Sequence, residues 1–370
     1  MIDAGKLKIT LSCDNGKMRN VEIESTRPLH TSRLFIGKTP EQTLKMLPLL
    51  FNVCGVAQSF AAFQALGIAQ NSAEFAARNL LLNVEIVREH CWWLLINTDK
   101  ARLAPFLKYV TDFKKALFVG GDAFSLNSRL EIQPAQLENL IFQLENDLNT
   151  LFENGRESLL QTKNEDDLSH WLEENSNVPA NLLRELLAKG YQNLGQSPLQ
   201  LLPELAEVEL LAEFETVNFS KTPTWRGECY ETSCLNREQT QPLIADLLKK
   251  YGNGLITRLT SRLFELANLP NVLRQNFINM QTPSNPTENE MGVVQIQASR
   301  GLLIHKVEMK NGLISDYQIV APTEWNFHPN GVAALSLQSL CVHNETLLRQ
   351  HAALIINAID PCVGFELVIN

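Results

Sequence analysis

The sequence lacks every feature that would place it in a membrane or outside the cell. No stretch contains the roughly 18 consecutive apolar residues that a membrane-spanning helix needs. The first residues, MIDAGKLKIT, do not join a basic segment to an apolar one as a signal peptide does. The seven cysteines are odd in number and irregularly spaced, which suits reduced thiols better than a disulfide framework. We therefore expect a cytoplasmic protein.

A basic surface is also missing from the sequence. The formal net charge is -9 at pH 7, the isoelectric point is near 5.4, and lysine and arginine form no dense run. Proteins that bind nucleic acid or anionic membranes normally present a basic face. Neither nucleic acid nor a membrane is therefore expected as a partner.

The common nucleotide-binding and catalytic motifs are absent as well. The segment IGKT at 36–39 resembles the end of a phosphate-binding loop, but Ser32 stands where that loop requires its first glycine. No HExxH, GxSxG, GxGxxG or CxxC pattern occurs. Cys229 and Cys234 are separated by four residues and lack a second pair, so a structural zinc site is not expected.

The apolar pattern predicts a helical centre between ends that are rich in strands. Turn signals at Asp14-Asn15-Gly16 and Lys310-Asn311-Gly312 predict two hairpins. Thr39 is predicted to cap a helix that has Pro40 at its first position. Further helical spacing follows Gly55, continues through NSAEFAARNLLLNVEIVREHCWWLLIN, and returns at about 135–154, 165–188, 237–250, 254–280, GVAALSLQSL and ETLLRQHAALIINAI.

These patterns predict one α+β unit that spans residues 1–370. No internal repeat, low-complexity segment or linker rich in proline and glycine divides it, and the polar stretch at 282–290 is predicted to be a loop. The expected order is a strand-rich start at 1–38, a mainly helical section at 39–281, and a strand hairpin, helices and an Asp-Pro-Cys tail at 291–370.

Four separated stretches, taken together, resemble the large subunit of nickel-iron hydrogenases. They are NVCGVAQSFAAFQAL at 52–66, RGECYETSCLNR at 226–237, ASRGLLIHKVEMKNGLISDYQIVAPTEWNFHP at 298–329, and DPCVGF at 360–365. The corresponding family patterns are RICGVC, ETGPLAR, APRGxLxH followed by YxIVxPTxWN, and DPCxxCxxH. The resemblance implies a hydrogenase large-subunit-like fold with a central bundle of long helices.

The departures from that family concern its metal ligands. The family holds nickel and iron with two CxxC pairs, and each second cysteine bridges the two metals. Here the first cysteines are present as Cys54 and Cys362, whereas the bridging positions are Ala57 and Phe365. A methyl group and a phenyl ring offer no lone pair to a metal. The resemblance therefore implies that no nickel is bound, and Phe365 could fill the space that nickel would take.

Three further family positions are changed in ways that argue against hydrogen turnover. Asn52 stands in place of the arginine before the first cysteine pair, and the N-terminal glutamate used for proton transfer falls near Ala4. Val368 replaces the histidine after the last pair, and no peptide follows for a maturation protease to remove. We therefore expect that the protein is not an enzyme.

One cysteine per former pair resembles HupK/HoxV, the large-subunit-like accessory proteins of hydrogenase maturation. The resemblance implies a scaffold that holds the Fe(CN)2(CO) fragment transiently through Cys54 and Cys362 and passes it to the hydrogenase large subunit. A HypC-like chaperone and HypD are the other implied partners. Two alternatives stay open, namely a divergent hydrogenase-like metal oxidoreductase and a metal-free docking protein.

The resemblance also implies roles for residues around the two cysteines. Arg300 is expected to donate hydrogen bonds to cyanide, although it could instead pair with a carboxylate. Pro322 and Thr323 would surround a cyanide ligand, although Thr323 could equally cap the following segment. Asp360 either bonds Arg300 or a backbone group, or forms an ordinary Asp-Pro turn. Cys54 would lie near a helix N-terminus, where the dipole favours its thiolate.

Other polar residues are expected to serve the fold. Trp325 and Asn326 would fix the loop that carries Thr323. His305 is expected to be a packed strand histidine, and His90 to lie on a core helix with its aromatic neighbours. No functional role is assigned to Cys229, Cys234, His90 or His305.

Overall fold

The structure is a computed structural model that describes residues 5–27, 31–51, 53–281 and 292–370. The loop expected at 282–290 lies outside the described residues, as do Ala4 and Asn52.

The described residues form helices and strands in the expected order. The strands are β1 Leu7–Asp14, β2 Lys17–Ser25, β3 Val293–Ala298, β4 Gly301–Lys310, β5 Leu313–Val320 and β6 Phe365–Ile369. The helices before residue 200 are α1 Pro40–Leu50, α2 Gly55–Ala65, α3 Ser72–Leu95, α4 Lys100–Leu103, α5 Phe106–Leu117, α6 Pro134–Leu151, α7 Arg156–Leu160, α8 Glu165–Glu174 and α9 Val178–Ala188. Those after it are α10 Glu207–Phe214, α11 Cys234–Glu238, α12 Pro242–Tyr251, α13 Leu255–Asn279, α14 Pro322–Asn326, α15 Val332–Gln338 and α16 Glu345–Ile359. Short 3-10 helices cover Thr31–Phe35 and Val119–Gly121.

The first sheet joins the beginning of the chain to its end. β1 pairs antiparallel with β2 through a turn in which Asn15 and Gly16 have φ of 48° and 76°, as the hairpin signal predicts. β6 pairs parallel with β1, from Leu7 opposite Phe365 to Leu11 opposite Ile369. The sequence analysis predicted only a tail here. The parallel pairing instead holds the last residues against the first strand.

The second sheet has the order β3-β4-β5 and is antiparallel throughout. Asn311 and Gly312, with φ of 53° and 75°, make the predicted turn between β4 and β5. Gly301 opens β4 with φ of 127°, and a Cβ there would lie 2.7 Å from the backbone of Thr232. Only glycine fits this close approach, and it places Arg300 in the turn between β3 and β4.

Two long helices, α3 and α13, form the centre of the molecule, and each is buried along most of its length. Thr39 caps α1 as predicted, in a reciprocal capping box with Gln42. None of the helices in the described residues combines the length and apolar character needed to cross a bilayer.

Two predicted helix boundaries were wrong. The helix expected over 165–188 is divided into α8 and α9, because the Asn177 side chain accepts a hydrogen bond of 2.9 Å from Ala180 N and starts a new helix that has Pro179 in its first turn. The helix expected from 237 begins at Pro242, which lacks the N–H that a continuing helix would need.

Candidate functional site

The structure brings Cys54 and Cys362 together from distant parts of the chain. Cys54 occupies the N-cap position of α2, and Cys362 lies in the short loop between α16 and β6. Both side chains are partly exposed. Their charges interact directly, because Cys362 is one of the groups that raise the pKa of the Cys54 thiol.

The N-terminus of α2 is already occupied by a carboxylate. Glu85 on α3 accepts hydrogen bonds from Val56 N at 2.8 Å and from Ala57 N at 3.0 Å. Burial, and after it the charges of Cys362 and Glu85, raise the pKa of Cys54 to about 12, although Arg300 opposes them. The expectation that the helix dipole favours the thiolate was therefore wrong. Glu85 cancels that end of the dipole.

Cys362 is bonded by Thr323. The Thr323 hydroxyl donates to Cys362 Sγ at 3.1 Å and accepts from Cys362 N at 3.3 Å. Ala321, with Glu324, caps the helix α14, so Thr323 is not the cap residue. Pro322 is the buried first residue of α14. The structure therefore places Thr323 directly against the candidate ligand, with Pro322 fixing the start of its helix.

Arg300 is buried between two carboxylates. Its Nη1 lies 3.0 Å from Glu89 Oε2, and its Nε lies 3.3 Å from Asp360 Oδ2. Burial lowers the pKa of the guanidinium, but Asp360 and Glu89 outweigh burial and hold that pKa above its usual value. The Nε–H makes no hydrogen bond of acceptable geometry within the described residues. Arg300 therefore pairs with carboxylates and still has one N–H to offer.

Asp360 is the residue that turns the chain out of α16 towards Cys362. It has φ of 64°, in the left-handed region that a non-glycine residue seldom adopts. Its carboxylate lies 3.3 Å from Arg300 Nε and 3.5 Å from Arg262 Nη2. Of the interpretations left open by the sequence, the structure supports contact with Arg300.

A cavity of about 640 Å³ opens beside this cluster. Its polar lining includes Arg88, Glu89, Arg300, Asp360 and Cys362, and its apolar lining includes Val53, Trp92, Trp93, Ile96 and Leu107. Within the described ranges, no three His, Cys, Asp or Glu side chains come together as metal ligands. A metal held by the two thiols would therefore find no third ligand of this kind among those residues.

Sequence reasoning missed several charged residues around the thiols. Arg27 forms a buried ion pair with Glu324, and its guanidinium interacts with the charges of both cysteines. Arg88 Nη2 donates to the backbone carbonyl of Val53, next to Cys54, and Arg88 Nε donates to Glu89 Oε1 at 2.9 Å. The positions 85, 88 and 89 share one face of a helix. Charged residues in a helix whose other residues are mostly buried and apolar could have indicated this part of the site.

The two positions that replace bridging cysteines do not face the cavity. Ala57 is fully buried in the main core, and its N–H bonds Glu85. Phe365 packs against the apolar cluster formed by β1, β2, α15 and α16, and it is not one of the residues that line the cavity. That Phe365 fills the space of nickel therefore stays a prediction.

The remaining residues singled out in the sequence make contacts within the fold. His305 lies between Tyr317 OH and Gln58 Oε1, each at 2.9 Å, and burial lowers its pKa to about 3, so the prediction of a packed histidine is confirmed. His90 Nε2 lies 2.6 Å from Glu265. The other contacts are Cys229 Sγ with His328 Nδ1 at 3.3 Å, Cys234 Sγ with Ser261 Oγ at 3.6 Å, and Asn326 with the backbone of Thr232. Trp325 is buried, in line with its expected structural role.

Glu85→Gln should flatten the pH dependence of stability in mildly acidic solution. Burial raises the pKa of Glu85 from its usual 4.5 to about 7, although Arg88 and the two backbone N–H groups oppose it. The folded state therefore holds more protons than the unfolded chain between these values, and stability falls as the pH rises through them. The shift corresponds to about 3 kcal/mol. Urea unfolding at about pH 5 and about pH 8 would measure the difference.

Glu238→Gln provides a matched comparison, because burial and Glu265 also raise the pKa of that carboxyl to about 7. Each variant should remove its own contribution to the change of the unfolding free energy with pH, and the double variant should remove both contributions. If Glu85→Gln keeps the full slope while Glu238→Gln reduces it, the assignment to Glu85 is wrong.

The chain matches known proteins over nearly its full length. Residues 231–363 match the nickel-dependent hydrogenase family. The chain is 27% identical to the hydrogenase expression/formation protein HupK of Azotobacter vinelandii, covering 99% of each chain. It is 26% identical to HoxV of Cupriavidus necator, also named a hydrogenase expression/formation protein, over 93% of this chain and 91% of that one.

A solved structure confirms the fold that the sequence predicts. The nickel-iron-selenium hydrogenase of Desulfovibrio vulgaris Hildenborough superposes with a TM-score of 0.68 at 16% identity, over 94% of each chain. The α+β large-subunit-like architecture is thus confirmed. The chain is a homologue of the HupK, HupV and HoxV hydrogenase expression/formation proteins, and it carries a region of the nickel-dependent hydrogenase family.

Proposed function

We propose that this protein is an accessory scaffold in nickel-iron hydrogenase maturation. It would hold the Fe(CN)2(CO) fragment as cargo through Cys54 and Cys362 and pass it to the hydrogenase large subunit. The observation that carries the proposal is the interaction of these two thiols with each other and with Arg300, where Cys362 and Arg300 line a cavity of about 640 Å³. The names of the relatives, which refer to hydrogenase expression and formation, support a role in maturation.

The donor set suits iron that already carries three ligands. Two thiolates, two cyanides and one carbon monoxide make five ligands, which leaves one position of an octahedral Fe(II) open. Thiolates are soft donors that suit iron of this kind. Because burial and the charge of Cys362 raise the pKa of the Cys54 thiol to about 12, its proton would have to leave as the iron binds.

The surrounding cations suit a cargo with anionic ligands. The unsatisfied Nε–H of Arg300 can donate to a cyanide nitrogen, which carries partial negative charge. Arg27 adds a second buried guanidinium whose charge interacts with both sulfurs. Burial strengthens these interactions relative to water. We infer that the two arginines favour the ionised form of the cysteines once cargo is present.

The same site is poorly suited to nickel. Ala57 and Phe365, at the positions of the bridging cysteines, have no lone pair; Ala57 lies in the main core, and Phe365 packs against an apolar cluster. Two protein ligands also hold cargo less firmly than four, which suits a carrier that must release it. A HypC-like chaperone and HypD, as the source of the fragment, are part of this proposal.

Infrared spectroscopy on protein isolated from cells that express the maturation machinery tests the proposal. We expect bands of metal-bound carbon monoxide and cyanide, with iron and without nickel by elemental analysis. The double variant Cys54→Ala, Cys362→Ala should lose the bands and the iron. The double variant Cys13→Ala, Cys341→Ala is the matched control. It removes one thiol on β1 and one exposed thiol, and neither residue lines the cavity.

Protein that carries no such bands, or bands that persist without Cys54 and Cys362, would contradict the scaffold. Sustained hydrogen uptake by the purified protein would favour a divergent oxidoreductase. A chain that binds maturation proteins equally well with and without both thiols, and never contains iron, would indicate a metal-free docking protein.

A further inference from the structure

The C-terminal end of α16 is capped by side chains from two other helices. Trp93 Nε1 on α3 donates to the carbonyl of Asn357 at 2.9 Å. Arg262 Nη2 on α13 donates to the carbonyl of Ala358 at 3.3 Å. The last carbonyls of a helix have no partner within the helix and form the negative end of its dipole. An indole N–H and a guanidinium are well suited to that end.

Arg262 and Trp93 also contact each other. The guanidinium carbon lies 4.4 Å from the centre of the Trp93 ring, a cation–π distance. Arg262 is only 3% exposed, and its Nε and Nη1 make no hydrogen bond within the described residues. A buried cation with two unsatisfied donors is unfavourable for stability. Its place next to the candidate ligand loop therefore suggests a functional reason for it.

This pair acts on the turn that leads to Cys362. Arg262 Nη2 lies 3.5 Å from Asp360, the left-handed residue that closes α16. Asp360 in turn lies beside Arg300. Cys362 follows two residues after Asp360, and the Thr323 hydroxyl bonds both its backbone N–H and its sulfur. The loop is thus fixed at its start by Arg262 and Trp93 and at the cysteine by Thr323.

We propose that Arg262 and Trp93 are positioning residues that set the place of the Cys362 sulfur relative to Cys54. Neither would touch the iron. Trp93 lines the cavity, but its indole N–H is used by α16. This inference rests on the proposed function where bound cargo is concerned. The placement of the two sulfurs can be measured on the iron-free chain.

Binding of phenylarsine oxide to the purified, iron-free chain measures this placement. Trivalent arsenic bonds two sulfurs only when both reach one arsenic atom. We expect the wild-type chain to bind it through Cys54 and Cys362, so that Cys54→Ser or Cys362→Ser removes this binding. Arg262→Met and Trp93→Phe should each weaken binding about tenfold, as the loss of one hydrogen bond to the end of α16 implies. Arg262→Lys, which keeps the charge, should recover part of it.

Two substitutions elsewhere provide matched controls. Trp171→Phe removes an indole hydrogen bond of the same length, 2.9 Å, to the carbonyl of Gly155. Arg156→Met removes a buried guanidinium that donates to the carbonyl of Ala267 at 2.7 Å. Both controls are expected to lower thermal stability without changing arsenical binding. Equal weakening by the controls, or unchanged binding in folded Arg262→Met and Trp93→Phe, would overturn the proposal. Wild-type chain that does not use both thiols would overturn it as well.

Infrared spectra of the same variants separate this inference from the proposed function. With cargo bound, Arg262→Met should lose its carbon monoxide and cyanide bands faster than wild type during incubation with an iron chelator. If the arsenical results hold but wild type carries no such bands, the positioning stands and the scaffold proposal fails. If wild type carries the bands but the arsenical results do not hold, only the positioning fails.

Discussion

Arg300→Met is expected to lower the free energy of unfolding by about 3–5 kcal/mol, the cost usually measured when one partner of a buried ion pair is removed. Glu89 and Asp360 would then remain as carboxylates with side chains that are 7% and 15% exposed. Both carboxylates could reach water only on the side that faces the cavity. Urea unfolding at neutral pH measures the loss, and the infrared bands of the bound fragment should disappear with it.

The exposed pair of Arg226 and Glu209 provides the control for this prediction. Arg226 makes a bidentate contact of 2.8 Å to that carboxylate, but the two side chains are 67% and 46% exposed. Arg226→Met should therefore leave the unfolding curve nearly unchanged, because solvent screens such pairs. If Arg300→Met has an equally small effect, the cluster around Cys362 is hydrated and the argument from buried charge is wrong.

A compensating variant distinguishes lost charge balance from lost packing. Arg300→Met combined with Glu89→Gln and Asp360→Asn removes the cation and both carboxylates together. Stability should return to near the wild-type value, because neutral side chains no longer require a buried partner. Cargo binding should not return, since the N–H groups offered to cyanide are still missing. A recovery of both properties would show that Arg300 acts on stability alone.

The residues proposed to hold the cargo could be named from the sequence, whereas most of the charges around them could not. Cys54, Arg300, Thr323 and Cys362 stand in short motifs whose letters carry the resemblance to a family. Arg27 and Glu324 are 297 positions apart. Nothing in either local pattern indicates that they meet, because such pairs depend on how whole elements pack. The neutralised N-terminus of α2 was missed for the same reason.

Several helices, among them α3, α6 and α13, were predicted because their evidence is local, whereas α5 and α10 were not predicted. Apolar periodicity and the Thr39 cap act within a few turns of the chain. The strand β6 lacks such evidence, since FELVI is short and its partner lies at the opposite end of the sequence. Parallel pairing needs no turn between the strands, so no turn signal can announce it. Its pairing with β1 holds the chain just after Cys362.

Removing residues 365–370 is expected to abolish the site along with the strand. The deletion takes away the parallel partner of β1 from Leu7 to Leu11, together with the hydrogen bonds between Asn370 and the backbone of Leu11 and Cys13. It also removes Phe365, Leu367 and Ile369, which pack against the cluster that contains Ile9. The loss should reach at least roughly 3 kcal/mol, since removal of one large core side chain often costs that much. Thermal unfolding and arsenical binding to the thiols measure the two effects.

Glu366→Pro is the milder variant that keeps this prediction testable if the deleted chain does not fold. Proline there removes an N–H that faces β1, because Leu7 N donates to Gly364 O and Asn370 N donates to Leu11 O, which turns the even-numbered N–H groups of β6 towards β1. Leu367→Pro offers the matched control, because the N–H of Leu367 points away from β1, on the side where the Leu367 carbonyl accepts from Arg349. In a parallel pair only alternate N–H groups of a strand face a given neighbour, so the two substitutions should differ in amide-exchange protection of β1. Equal protection in both, together with unchanged arsenical binding, would mean that Cys362 is held by Asp360 and Thr323 alone.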